Sequence, residues 1–303
     1  MLSRTADAVY WMSRQMERAE NQARLLDVLY QMSLLPGGVD QQTMASPLLV
    51  SGTQEIFHQN HPTLSMDLLI RFCTLHRANP ASIYNNLRQA RDNARIVRGD
   101  ITNEMWESIN TTWIQLQKKS HDNQSSQGYR HFLDWIKERS HLFRGVTFGT
   151  IRRNQAFAFS RLGTFIERAD NTLRILLIHT QAPRKNNHSW EILLHSLSAQ
   201  ESYRAIYQDM SSSIACAELL ILDLTFPRSL HASLQEIQQS LDLLPLSNGL
   251  ECRRITAELL ANIRYSRIEH VLEHGLDRAL IHYLDTMATL GKHIQNAYLE
   301  FGT

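Results

Sequence analysis

Residues 17–26 read ERAENQARLL, and residues 167–176 read ERADNTLRIL. Six of the ten positions are identical across a shift of 150 residues, and Asp170 keeps the charge of Glu20. The apolar positions recur as well. Met12, Met16, Ala19, Ala23 and Leu26 correspond to Leu162, Ile166, Ala169, Leu173 and Leu176. Spacings of three and four residues line such a set along one side of an α-helix. The sequence therefore writes one amphipathic helix twice. The remainder of the two halves does not match, so a helix is duplicated and not a domain.

Outward from the repeat, helical period dominates. The first helix is expected from about Thr5 to Ser33, stopped by Pro36-Gly37-Gly38. A looser region follows through Pro47 to Asn60-His61-Pro62. Further helices are expected over 65–77, 82–98, 103–119, 129–144, 151–182, 189–210, 211–225, 229–243, 251–273 and 276–300, with Gly145 and Gly149 read as a break. SHDNQSSQG (120–128) and PRKNNHS (183–189) read as polar connectors. No segment alternates in the manner of a strand. The expectation is an all-α bundle of about ten helices, one domain over 1–303, in which the two related long helices pack as a pseudo-symmetric pair.

Composition narrows the function classes. Thirty-one basic residues face 30 acidic ones, a net charge of +1, which argues against nucleic acid or a membrane surface as partner. Cys73, Cys216 and Cys252 are far apart and form no CxxC pair, so a disulfide framework or a cysteine zinc site is not expected. Arg4, Asp7, Arg14 and Glu17 interrupt the start of the chain where a signal peptide needs an apolar run. Residues 214–226 are the greasiest stretch, but they contain Glu218 and Asp223 and are too short to span a bilayer. These features predict a soluble, cytoplasmic protein. There is no glycine-rich phosphate loop, no G-x-S-x-G and no H-E-x-x-H, and no cofactor is expected.

The charged residues of the repeat divide into two sets. Glu20 with Arg24 and Asp170 with Arg174 are acid-before-base pairs at i,i+4, each worth about 0.2–0.5 kcal/mol on an exposed helix. Ser13, Glu20, Asp27 and Gln31 share what reads as a solvent side. Glu17, Arg18 and Asn21 lie instead toward Tyr10, Trp11, Leu25, Val28 and Leu29, and Glu167, Arg168 and Asn171 occupy equivalent places. A charge set among apolar residues needs a partner, because an unpaired buried charge is very costly. Glu17, Arg18, Glu167 and Arg168 are thus expected in a partly buried ionic network between helices, serving structure or lining a cavity.

A second constellation is EMWESIN (104–110). Glu104, Glu107 and Asn110 project together, with Arg91, Asp92 and Arg95 upstream. Paired carboxylates opposite arginines suit metal binding or acid–base work; a solvated helix face is the plainer reading. Glu55–His58 and Glu138–His141 have the E-x-x-H spacing of di-iron bundles, with Glu17 and Glu107 as conceivable further ligands. FPRSL (226–230) reads as a tight helix-to-helix turn with an exposed Arg228, and the five tryptophans read as core.

Several long strings resemble the alpha-E domain family of bacteria. They are LSRTADAVYWMSRQMERAENQARLLDV (2–28), SIYNNLRQARDNARIVRGDITNEMWESIN (82–110), SHLFRGVTFGTIRRNQAFAFSRLGTFIERADNTLRIL (140–176), SWEILLHSLSAQESYRAIY (189–207) and FPRSL. The order is that of the family and spans most of the chain. Departures are local: Asp92 stands where the family usually has Glu, and residues 36–62 match loosely. The resemblance implies an all-helical cytoplasmic protein that partners ATP-grasp-type carboxylate–amine ligases. It also implies a setting beside transglutaminase-like and proteasome-like peptidases, in a system that makes or modifies peptide or amide bonds.

Three readings follow. In the first, the chain is a helical subunit that binds an ATP-grasp-type ligase and its peptide or amino-acid substrate. In the second it is an enzyme, with Glu17, Glu167, Glu104 and Glu107 as catalytic carboxylates. Arg14, Arg18, Asn21, Arg24, Arg91, Arg95, Asn110, Arg168, Asn171, Arg174 and Arg228 would then hold the substrate, the arginines clamping a carboxylate bidentately. In the third, every charge is structural.

Overall fold

The computed structural model describes residues 1–122, 126–181, 187–208, 212–246 and 248–299. Parts of both polar connectors fall outside the described residues. Among those described, every regular element is helical. α1 (Ser3–Ser33) is followed by three short helices, α2 (Gln41–Met44), α3 (Ser46–Ser51) and α4 (Gln54–Asn60). Next come α5 (Met66–Thr74), α6 (Ile83–Ile96), α7 (Asn103–Asp122) and α8 (Ser126–Thr150). α9 (Gln155–Gln181), α10 (Asn187–Ser196), α11 (Gln200–Tyr207) and α12 (Ser213–Leu222) follow. α13 (Leu230–Asp242), α14 (Leu250–Tyr265), α15 (Ile268–Leu272) and α16 (Leu276–Ile294) complete the series, with a π-helical turn at Gln295–Leu299.

The all-α class is as the periodicity implied, but among the described residues sixteen α-helices replace about ten. The loose region holds three of them. Asp40 caps α2 by accepting from Thr43 N at 2.9 Å, and Gly52, at φ 67°, closes α3. Ser198, at φ 54°, divides the helix expected over 189–210. The opposite error occurs in α8, which runs straight through Gly145 and Gly149. A glycine inside a helix costs about 0.5–1 kcal/mol relative to alanine, which weakens α8 without ending it.

The chain forms two compact units, one of Met1–Tyr10 with Arg153–Thr303 and one of Trp11–Arg152. In the first, α9 is the central rod, packed by α13 and α16 and also touched by α10 and α12. It is buried nearly all round, through Leu162, Ile166, Leu173 and Leu176 among others. Ser229 starts α13 as its N-cap, accepting from Ala232 N at 2.9 Å. In the second unit α7 packs on both α6 and α8. Its interior includes Met12, Met16, Leu26, Ile70, Phe72, Ile83 and Leu116. Trp190 alone among the tryptophans is buried; Trp11 and Trp106 are half-buried beneath the guanidinium groups of Arg14 and Arg98.

Candidate functional site

The ionic network of α1 is real, but its membership differs from the expectation. Glu17 and Glu20 are one turn apart, and their side chains are 1% and 0% exposed. Ser13 and Asp27 are buried too, so the side of α1 expected to meet solvent faces protein there, and of its four residues Gln31 is exposed. The covering element is α8. Arg144 Nη1 donates to Glu17 Oε2 at 2.8 Å and also contacts Glu20 Oε2. Ser140 Oγ donates to Glu20 Oε2 at 2.7 Å. Arg24 Nε donates to Glu20 Oε1 at 2.8 Å, and His141 Nε2 lies 3.5 Å from that same oxygen. Two turns further along α1, Asp27 receives Lys137 Nζ at 2.7 Å and Gln31 Nε2 at 2.9 Å. As residue numbers rise along α1 the partner numbers fall along α8, so the two helices run antiparallel.

Charge balance explains why these acids tolerate burial. Two carboxylates meet two guanidinium groups, and Ser140 supplies a further donor. Burial alone would lower the pKa of Arg144, but Glu17 and then Glu20 outweigh it and raise it. Lys137 behaves alike: burial opposes its charge, while the bonds to Asp134 and Asp27 raise its pKa overall. Both oxygens of Glu20 are committed to groups of the chain itself. The cluster is a clamp between two helices, with both Glu20 oxygens and Glu17 Oε2 already in use.

The second copy of the repeat is held differently. Glu167, Arg168 and Asn171 are buried in α9, as expected. Arg168 Nη1 donates to the Pro227 carbonyl at 3.3 Å, and its guanidinium lies 4.8 Å from the Phe165 ring centroid. Thr172 Oγ1 donates to the Arg228 carbonyl at 2.9 Å. Arg228 itself is buried, contrary to the exposed position expected of a turn. The turn is locked by Asp223, whose Oδ1 accepts from Thr225 N at 2.6 Å and Phe226 N at 2.8 Å. Asp170 and Arg174 form the simple i,i+4 pair, at 2.6 Å, on a more exposed flank.

The 104–110 constellation does not assemble. Glu104 and Glu107 are exposed, as is Arg95. Arg91 makes a long 3.5 Å contact to Asn110 Oδ1 and a 3.3 Å contact to Asp92. Glu104, Glu107 and Arg95 are solvated side chains, while Arg91 and Asn110 are half-buried. Among the described residues no group of three or more His, Cys, Asp or Glu is placed to hold a metal ion. His141, one of the E-x-x-H histidines, instead contacts Arg24 Nη2 at 2.8 Å. Arg144, Ser140 and Lys137 are not among the residues the sequence singles out; their one local signal is a 3,4 spacing on a helix that Gly145 and Gly149 imply should end.

A family model described as a predicted alpha-helical domain with a conserved ER motif matches residues 1–299. No curated protein and no solved structure matches the chain. Glu-Arg occurs at 17–18, 138–139 and 167–168. The first and last of these are the corresponding positions of the repeated helix.

Proposed function

The chain belongs to the Alpha-E family, and from that premise we propose that it serves as a helical partner subunit of an ATP-grasp-type carboxylate–amine ligase. The ligase would bind ATP and form or modify peptide or amide bonds; this chain would bind the ligase and its peptide substrate. One observation favours a subunit over an enzyme. Glu17 and Glu20 are buried and ion-paired with Arg144 and Arg24, so their charges are spent in joining two helices. Of the other carboxylates named as catalytic, Glu104 and Glu107 stand in water and Glu167 is buried within α9.

The test is co-expression with an ATP-grasp protein encoded beside this chain. A stable complex that consumes ATP with an amino-acid or peptide acceptor supports the reading. Within such a mixture, Glu17→Gln should lower the melting temperature of this chain while the reaction persists. Loss of the reaction at unchanged stability would move the carboxylate into the chemistry instead. Absence of any complex with such a ligase would remove the proposal.

A further inference from the structure

The outward face of α8 has a composition that its own packing does not explain. Leu133, Ile136, Ser140, Phe143 and Thr147 make the buried side. The opposite side carries Glu138, His141, Leu142, Gly145, Phe148 and Gly149, all exposed. Leu142 is 41% exposed and Phe148 is 58% exposed. Gly145 and Gly149 leave a shallow saddle between these two apolar side chains. A Cβ added at either glycine meets no atom within 4 Å, and neither adopts the positive φ that calls for glycine. They weaken the helix and relieve no contact within the chain. What glycine still offers there is close approach by another backbone.

Two exposed charges flank the saddle at equal separation in sequence, one on α8 and one in the non-helical link that follows it. Glu138 and Arg152 each lie seven residues from Gly145, the latter two residues past the end of α8. Both are exposed, and neither has an ion-pair partner among the described residues. A two-fold axis through Gly145 exchanges position 138 with 152, 141 with 149 and 142 with 148. An acid would meet a base, Leu142 would meet Phe148, and the His141 ring would lie over the open Gly149.

We propose that this face is a self-association surface, on which α8 of a second copy of the chain packs antiparallel and crosses at Gly145. The proposal goes beyond the partner-subunit reading and does not depend on it. A seam of about four helical turns is small for a protein interface, so the dimer should be reversible, with a dissociation constant on the order of micromolar.

Sedimentation of the full chain from about 1 to about 200 μM measures it directly. The native chain should pass from monomer to dimer across that range. Glu138→Arg and Arg152→Glu each bring like charges together and should weaken the dimer about tenfold; the two combined restore the opposite pairing and should recover most of the loss. Gly145→Leu should abolish dimerisation, with an unchanged melting profile for the dilute protein showing that the fold survives. A chain that stays monomeric throughout overturns the proposal. A dimer indifferent to Gly145→Leu overturns it, as does a double charge reversal no better than its single components. Gly145-dependent binding of a foreign helix by a monomeric chain would reassign the face to another partner.

Discussion

Arg144 in α8 places its Nη1 2.8 Å from Glu17 Oε2 in α1, across 127 residues of chain. The carboxylate is buried and the arginine side chain is 26% exposed. Such a pair contributes little net stability compared with an apolar substitute, yet removing one member strands the other. Arg144→Leu should therefore cost about 3–5 kcal/mol in urea unfolding, because it strips Glu17 and Glu20 of a shared partner. Glu17→Gln keeps the shape and loses only the charge, and should cost about 1–3 kcal/mol. A loss below about 1 kcal/mol for Arg144→Leu would show that the clamp is not maintained in solution.

The exposed pair offers the converse expectation. Glu104→Gln combined with Glu107→Gln should change unfolding free energy by no more than about 0.5 kcal/mol. Both side chains are solvated. It should also leave ligase-complex formation intact. A loss of ATP consumption at unchanged stability would point to chemistry on this helix face.

Alkaline pH should expose the buried thiols. Burial raises Cys73 from 9.0 to about 12, with Gln22 acting in the opposite sense, and it also raises Cys216 to about 12 and Cys252 to about 11. The folded chain keeps these protons at pH values where the unfolded chain has released them. Stability is complete below the unfolded value near 9 and falls as pH rises through the window toward 11–12. Unfolding measured at about pH 8, 9.5 and 10.5 should show that decline, and Cys73→Ala should make it shallower. A flat profile would contradict the burial of these thiols.

Ser229 begins the helix that packs most extensively on α9. It caps α13 through Ala232 N and also donates to the Asp223 carbonyl. Ser229→Ala should cost about 1–2 kcal/mol, read as a lowered denaturation midpoint with an unchanged slope. Ser229→Thr keeps both the acceptor for the cap and the donor to the Asp223 carbonyl and should recover part of it.

The helical class and the burial of Glu17, Glu167 and Arg168 were legible because period and composition are local properties. Glu20 was misplaced for a related reason. Its i,i+4 partner Arg24 makes a self-sufficient surface pair on a helical wheel, and nothing nearby in sequence announces that Ser140 and Arg144 cover it. Those partners stand 120 and 124 positions away, on a helix whose glycines imitate a break. Arg228 was misread as exposed because FPRSL looks like any turn; the Asp223 bonds that fold it inward depend on a residue outside that motif. The 104–110 set shows the opposite failing: carboxylates sharing a helix side become a site only when another element closes over them.

The spacing of Glu17, Glu20 and Asp27 against Arg144 and Lys137 has a bearing on folding fidelity. Greasy rods can glide past each other by a turn, about 5.4 Å, with modest penalty, since one leucine substitutes for another. Here such a slip would strand acids against neutral neighbours, so the charges act as a vernier that admits a single alignment. Replacing all five by apolar residues would then give a tougher molecule with a less certain register.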